Sequence, residues 1–267
     1  RARVPSPTPV VPGLMPPASP ELSLVAAAAS RPSPHHVECE DAWQIYDHDH
    51  DKGDGLFIVC DGVSTAGEGL AAARLACNRV GQFEEPGARR HPDTLAQLVS
   101  EIDWELRGTG RHAKCTLAMA WVDGRSAHIF TVGDSPVYRL RKGRTRQAGA
   151  EKTGTFRRLA SFLGMGPGVS EVLTRDHWDL VPGDVLMLMS DGVLDALDED
   201  DLKEIWERTS VPEACARTII DEVARVGVDD DATVIVVEVQ SRVGRTVPGH
   251  PYSPPDPPTW LKPGPTT

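Results

Sequence analysis

The sequence is short of positive charge. Its 28 lysines and arginines face 39 aspartates and glutamates, a formal net charge of −11. Such a balance lacks the basic patches that neutralise a phosphate backbone, so no nucleic-acid partner is expected. It suits divalent cations or basic protein partners. Long hydrophobic runs are also missing, and none approaches the roughly 18 residues of a membrane span, so no membrane partner is expected. Residues 22–29 are apolar, but a proline-rich stretch precedes them instead of a basic one, which argues against a secretory signal. The five cysteines (39, 60, 77, 115 and 215) are odd in number and form no Cys-x-x-Cys pair. Reduced core thiols in a cytoplasmic protein are the expectation. Neither a Cys-x5-Arg nor a Gly-x-Ser-x-Gly pattern occurs, so no side-chain nucleophile of those kinds is on offer.

What is present is a repeated local design. Residues 56–62 read Leu-Phe-Ile-Val-Cys-Asp-Gly. Five apolar residues, partly β-branched and aromatic, describe a strand buried on both faces. It runs into Asp61, a carboxylate that needs a charged or hydrogen-bonding partner beside a core. Gly62 then leaves the backbone open to a ligand or metal. Residues 185–192 (Val-Leu-Met-Leu-Met-Ser-Asp-Gly) repeat the design, and residues 129–135 (Ile-Phe-Thr-Val-Gly-Asp-Ser) vary it.

In chain order, residues 1–20 carry seven prolines and read as a tail; the stretch from Pro248 carries eight more. These bound a domain at 21–240, with a second proline-rich tail at 241–267. Strands are expected near 21–29 (an outer strand), 42–46, 56–60, 114–122, 127–132, 137–141, 178–180, 185–189 and 232–239. Helices are expected over 66–82, 92–107, 194–208 and 212–226. Residues 142–170 look irregular, and Val-Pro-Gly-Asp at 181–184 reads as a hairpin turn between its flanking strands. The acidic stretch 47–55 makes a long hairpin loop. Counted as a calcium loop from Asp47, it puts Lys52 where glycine is needed and Ile58 where glutamate is needed, so that reading fails. Strands in runs and helices in pairs favour an α+β fold with antiparallel sheets faced by helices.

Asp230, in the run Asp229-Asp230-Asp231, precedes the last strand. Because one antiparallel strand starts beside the end of its neighbour, Asp230 can meet Asp61 and Asp191 at one sheet edge. Carboxylates so gathered repel unless a cation neutralises them, and hard oxygen ligands suit Mg²⁺ or Mn²⁺. The plainer alternative, each aspartate capping its own turn, serves for one residue better than for the set.

Glu40-Asp41, Asp61-Gly62, Gly133-Asp134-Ser135, Ser190-Asp191-Gly192-Val193-Leu194-Asp195 and Asp230-Asp231-Ala232-Thr233 stand in the order and spacing of the type 2C metal-dependent protein phosphatases. The resemblance spans about residues 22–240 and is strongest to the compact bacterial branch of that PPM family. It implies a four-layer α-β-β-α sandwich with a two-metal centre at one end. It also implies Ser/Thr phosphoprotein hydrolysis by a metal-bridged hydroxide. On that resemblance Asp61 bridges both metals and the Gly62 carbonyl binds one. Asp191 and Asp230 ligate the other, Glu40 acts through bound water and Asp41 orients it. Asp134, with Asp191 or Asp195, matches a third, weaker metal site. The implied partners are phosphoproteins, including a Ser/Thr kinase or its targets, acted on by a monomer.

The departures bear on substrate handling. The arginine that usually clamps the substrate phosphate is replaced by His36, which lacks the bidentate fork; His35 and Arg31 are substitutes to consider, and the basic stretch 139–146 is another. Ser64-Thr65 stand where bacterial relatives carry glycines, and Val63 replaces the histidine acid of some eukaryotic members. Asp231 replaces an asparagine, and the segment 141–163, the flap, is short. Three functions stay open: an active phosphatase, a binding-only pseudophosphatase of the same fold, and a phosphatase of phosphoserine in anti-anti-sigma-like regulators.

Overall fold

The computed structural model describes residues 21–49, 52–63, 68–85, 87–109, 113–149, 161–166 and 168–242. Both proline-rich tails and the Ser64-Thr65 pair lie outside them, as do residues 150–160 of the flap. At the centre is β3 (Asp54–Cys60). Its side chains alternate between two separate cores, as the pleat of a strand requires. Leu56, Ile58 and Cys60 join one core; Phe57 and Val59 join another. This is the doubly buried strand expected from its unbroken apolar run.

It belongs to one of two facing five-stranded sheets. One is ordered β2-β3-β4-β5-β8 and contains β2 (Ala42–Asp49), β4 (Leu117–Asp123), β5 (Ser126–Val132) and β8 (Thr174–Asp179). The other is ordered β1-β10-β9-β6-β7, from β1 (Leu22–Arg31), β6 (Val137–Arg141), β7 (Arg144–Ala148), β9 (Val185–Met189) and β10 (Ala232–Ser241). Every pairing is antiparallel. Phe57, Ile129, Trp178, Leu188 and Ile235 fill the space between the sheets. The helices α1 (Gly69–Val80) and α2 (Pro92–Gly108) cover the first sheet, and α5 (Glu199–Thr209) and α6 (Pro212–Val226) cover the second. The result is the four-layer α-β-β-α sandwich. Among the described residues no helix is long and apolar enough to cross a membrane.

Local chemistry sets the helix ends. The His91 ring caps α2 by accepting from the Asp93 N–H at 3.2 Å, and Pro92 occupies the first turn, where its missing N–H costs nothing. Asp198 and Asp201 close a reciprocal capping box at the start of α5. That box breaks the single helix expected over 194–208 into a short α4 (Asp191–Leu194) and α5. A second short helix, α3 (Val169–Val172), precedes β8.

Three expectations about strands are corrected. β7 was not expected at all: its sequence, Arg-Thr-Arg-Gln-Ala, is a polar edge strand with no apolar run to mark it. Val-Pro-Gly-Asp does not close a hairpin, because β8 pairs with β5 in one sheet and β9 with β6 and β10 in the other. The turn instead carries the chain across the sandwich. The β2–β3 loop is shorter than expected, since pairing persists to Asp49 and Asp54 with a register shift near Asp47.

Phe57 is fully buried between the sheets. Phe57→Ala should therefore lower unfolding free energy by about 3–5 kcal/mol. A urea titration showing a loss below about 1 kcal/mol would mean that the inter-sheet core collapses around the missing ring.

Candidate active site

Asp61 follows β3, Asp191 opens α4 directly after β9, and Asp230 lies just before β10. β9 and β10 are neighbours, so Asp191 and Asp230 meet as the antiparallel geometry predicts. Asp61 arrives from the opposite sheet, not the same one, so the acidic groups gather between the layers at one end of the sandwich. Ser190 fixes the join: its N–H donates to the Thr233 carbonyl at 3.0 Å, and its Oγ accepts from the Thr233 N–H at 2.9 Å. The same hydroxyl donates to Asp41 Oδ2 at 2.7 Å, bringing a fourth carboxylate in from the loop before β2.

The two Asp-Gly steps have a steric cause. A Cβ on Gly62 would come within 2.5 Å of the Glu40 carbonyl, and one on Gly69 within 2.6 Å of the Gly62 carbonyl and 2.9 Å of Glu40 Oε2. A Cβ on Gly192 would strike the Asp231 carbonyl. The space a side chain at Gly62 would fill is thus taken by the protein's own backbone, and the Glu40 carboxylate lies against this junction.

Burial and mutual repulsion dominate the electrostatics. Burial pushes the Asp41 carboxyl up to about 7 against the opposing pull of the Ser190 hydroxyl, with the charges of Asp231 and Asp191 adding to the rise. Burial likewise raises Asp61 well above the ordinary carboxylate range, helped by Asp41, Asp191 and Asp230. Asp230 is lifted to about 6, by burial first and then by Asp191. Asp195 is among the charges acting on Asp230, whereas Asp134 sits on the turn after β5 at the same end of the fold. Asp41 Oδ1 is buried without a hydrogen-bond partner. Asp191 faces Asp61 closely enough to add directly to the rise at Asp61.

The donor set fits hard divalent cations: it is all oxygen and crowded with carboxyls. Among the described residues, though, no three His, Cys, Asp or Glu side chains stand in a finished metal-holding arrangement.

The sequence presents Asp231 as a mild replacement, and the structure gives it a larger part. It is buried, and it accepts from the Ser33 N–H at 2.5 Å and the Glu40 N–H at 2.6 Å. His36 Nδ1 lies 3.1 Å from both its oxygens. One carboxylate therefore ties down both ends of the 33–40 loop that delivers Glu40 and Asp41. The His36 ring, expected to face a substrate phosphate, faces Asp231 with one of its two nitrogens. The hydrogen bond to Asp231 raises its pKa, against some burial. Arg31 Nη1 donates to the Val228 carbonyl at 3.3 Å, and His35 pairs with Asp229 at 3.5 Å. Arg141 is bound by Asp184, which precedes β9 and so lies at the far end of the sandwich. The basic stretch 139–146 is therefore too remote to serve as the clamp.

Two further residues escape the sequence reading. Thr116 accepts from the Asp61 N–H at 3.0 Å and meets the Ser135 hydroxyl at 2.6 Å, linking Asp61 to the turn that bears Asp134. Asp103 is fully buried in α2 and accepts from the Gly164 N–H at 2.7 Å and the Gly166 N–H at 3.3 Å. It anchors the loop whose Leu163 bridges Cys115, which in turn bridges Gly62. A visible signal exists: Asp103 falls on the apolar stripe of Val99, Ile102 and Leu106, where a charge needs a task.

Residues 35–220 match the family model described as "Protein phosphatase 2C". Comparison with curated protein sequences gives no match. Among solved structures, PppA, a key regulatory component of T6SS in Pseudomonas aeruginosa, is similar at 22% identity and a TM-score of 0.68, covering 81% of this chain and 98% of that one. The catalytic domain of the serine threonine protein phosphatase PstP, in complex with two manganese ions, matches at 22% identity and a TM-score of 0.67, over 82% and 100% of the two chains. The PPM Ser-Thr phosphatase MsPP from Mycobacterium smegmatis matches at 24% identity and 0.64, over 83% and 99%.

The raised carboxyls dictate a pH dependence. A group whose folded pKa is raised contributes stability below its unfolded value, and that contribution is lost as pH rises through the folded value. Here the window opens near 3.8 and closes through about 6 for Asp230 and about 7 for Asp41. Stability of the metal-free protein should fall across that window, and saturating Mg²⁺ should restore it. Thermal midpoints recorded with and without Mg²⁺ should diverge as pH rises from 4 to about 7; a constant difference would contradict the cluster's electrostatics.

Proposed function

The chain belongs to the protein phosphatase 2C family, and on that premise we propose that it is a Mg²⁺- or Mn²⁺-dependent phosphatase of phosphoserine and phosphothreonine in proteins. The observation that carries the reading is the meeting of Asp41, Asp61, Asp191 and Asp230 from four separate segments, where burial and mutual repulsion raise Asp41, Asp61 and Asp230. Asp61 would be common to two cations, with the Gly62 carbonyl holding one and Asp191 and Asp230 holding the other. Glu40 acts through water, oriented by Asp41, which Ser190 positions. Asp134 with Asp191 or Asp195 would take a third ion. When bound, such a pair of cations activates water near neutral pH and neutralises the phosphoryl oxygens. The transition state of phosphoryl transfer asks for positioning and electrostatics more than for covalent help.

The chain's own residues set the geometry. Asp231 holds the loop that presents Glu40, and Thr116 fixes the backbone of Asp61. The family, together with the Ser/Thr phosphatases among the structural neighbours, supports this substrate class. A Ser/Thr kinase or its targets, met by a monomer in the cytoplasm, completes the reading, with residues 21–240 as the catalytic unit and the proline-rich ends as appendages.

A second reading rests on His36. With its Nδ1 against Asp231, the position of the usual phosphate clamp carries no arginine fork, which favours a protein that binds metal and phosphoprotein without turning it over. One experiment separates the two. The full chain should hydrolyse p-nitrophenyl phosphate only with added Mn²⁺ or Mg²⁺, and Asp61→Asn should lower kcat by about a hundredfold or more with its thermal midpoint retained. Undiminished turnover in that variant would remove Asp61 from the mechanism. Metal binding without turnover in the wild-type chain would select the binding-only reading.

A further inference from the structure

The first sheet carries a row of rings on its helix-facing side. Leu56, Trp121, His128 and His177 stand opposite one another across β3, β4, β5 and β8. Phe83 meets Trp121 edge-on with centroids 5.0 Å apart, and Trp121 stacks on His128 at 5.0 Å and 24°. His128 and His177 end the row as a directly opposed cross-strand pair, with ring centroids 5.1 Å apart. Leu56 lies five residues before Asp61, so the row sits about 15 Å from the acidic cluster along the strand.

We propose that His128 and His177 form a chelating site for a divalent transition-metal ion, Zn²⁺, Ni²⁺ or Cu²⁺, separate from the acidic centre. Imidazole is the side chain these ions favour, whereas Mg²⁺ prefers oxygen. The spacing suits them: a metal about 2.0–2.1 Å from one nitrogen of each ring, at a near-tetrahedral angle, puts the two centroids about 5 Å apart. Directly opposed strand positions hold the rings at that separation without a folding cost on binding. The Trp121 face stops the His128 ring from rotating away. His177, on the exposed edge strand, leaves the remaining coordination positions to water. Among the described residues no third His, Cys, Asp or Glu completes the set, so the site is two-coordinate from the protein.

The charged surroundings are mixed. Burial lowers the His128 pKa, and the charge of His177 adds to that, which keeps the ring in the neutral, ligating form. His91 and Arg175 act in the same direction and Asp123 against it. Arg175 is itself held by Asp93 at 2.6 Å, which offsets the cation nearest the pair.

Trp121 makes the site readable. With saturating Mg²⁺ present, NiCl₂ titrated into the full chain should quench tryptophan emission saturably, with a midpoint in the micromolar range. His177→Ala, an exposed change, should weaken that midpoint by about tenfold or more, because the second imidazole binds intramolecularly. Asp61→Asn should leave it in place. Superimposable curves for the wild-type chain and His177→Ala would overturn the proposal, as would loss of the quench in Asp61→Asn or no saturation below millimolar Ni²⁺. The pair would then be only the outer end of the ring stack.

Discussion

Everything at the working end of this protein follows from like charges held close together out of water. Two such charges about 4 Å apart near a protein surface repel by about 4 kcal/mol. A whole domain is stable by only about 5–15 kcal/mol. Asp41, Asp61, Asp191 and Asp230 cannot all ionise there without a compensating charge. Protons compensate in part, since burial and mutual repulsion raise Asp41, Asp61 and Asp230 above the ordinary carboxylate range. Divalent cations would do the same task and leave the carboxylates ionised.

The sandwich exists to hold that conflict in place. Asp191 and Asp230 are clamped by the Ser190–Thr233 pairing across β9 and β10, while Asp61 is set by Thr116 in the facing sheet. The glycines at 62 and 192 let backbones pass where any side chain would collide. Asp231 performs the least expected service. As a buried carboxylate with donors from Ser33, His36 and Glu40, it folds the loop before β2 onto the site. An asparagine there would offer one acceptor oxygen where the carboxylate offers two. His36 and Asp231 thus read as one paired feature: the residue that departs from the usual arginine supplies a partner to the residue that departs from the usual asparagine.

Much of this is legible in the sequence because it is written in local patterns. The run at 56–60 specifies a strand buried on both faces, and its alternation between Leu56, Ile58 and Phe57, Val59 is the direct consequence. The repeated strand–Asp–Gly design marks Asp61 and Asp191 by residue type alone. What local pattern does not carry is pairing between distant segments. Val-Pro-Gly-Asp looks the same whether it closes a hairpin or crosses between sheets, and only the pairing of β8 with β5 decides it. β7 stays hidden because an edge strand of arginines and polar residues has no apolar run. The acceptor geometry of Asp231 joins residues almost two hundred positions apart, which no spacing rule reports. Asp103 is accessible in principle, as a charge on an apolar helical stripe, although its partners Gly164 and Gly166 are not.

Crystals grown with Mn²⁺ and measured at a wavelength that brings out manganese anomalous scattering would show whether the acidic cluster holds two cations. Two strong anomalous peaks about 3.5–4 Å apart are expected, lying between Asp61 on one side and Asp191 and Asp230 on the other. An anomalous map empty at that position would overturn the two-cation reading.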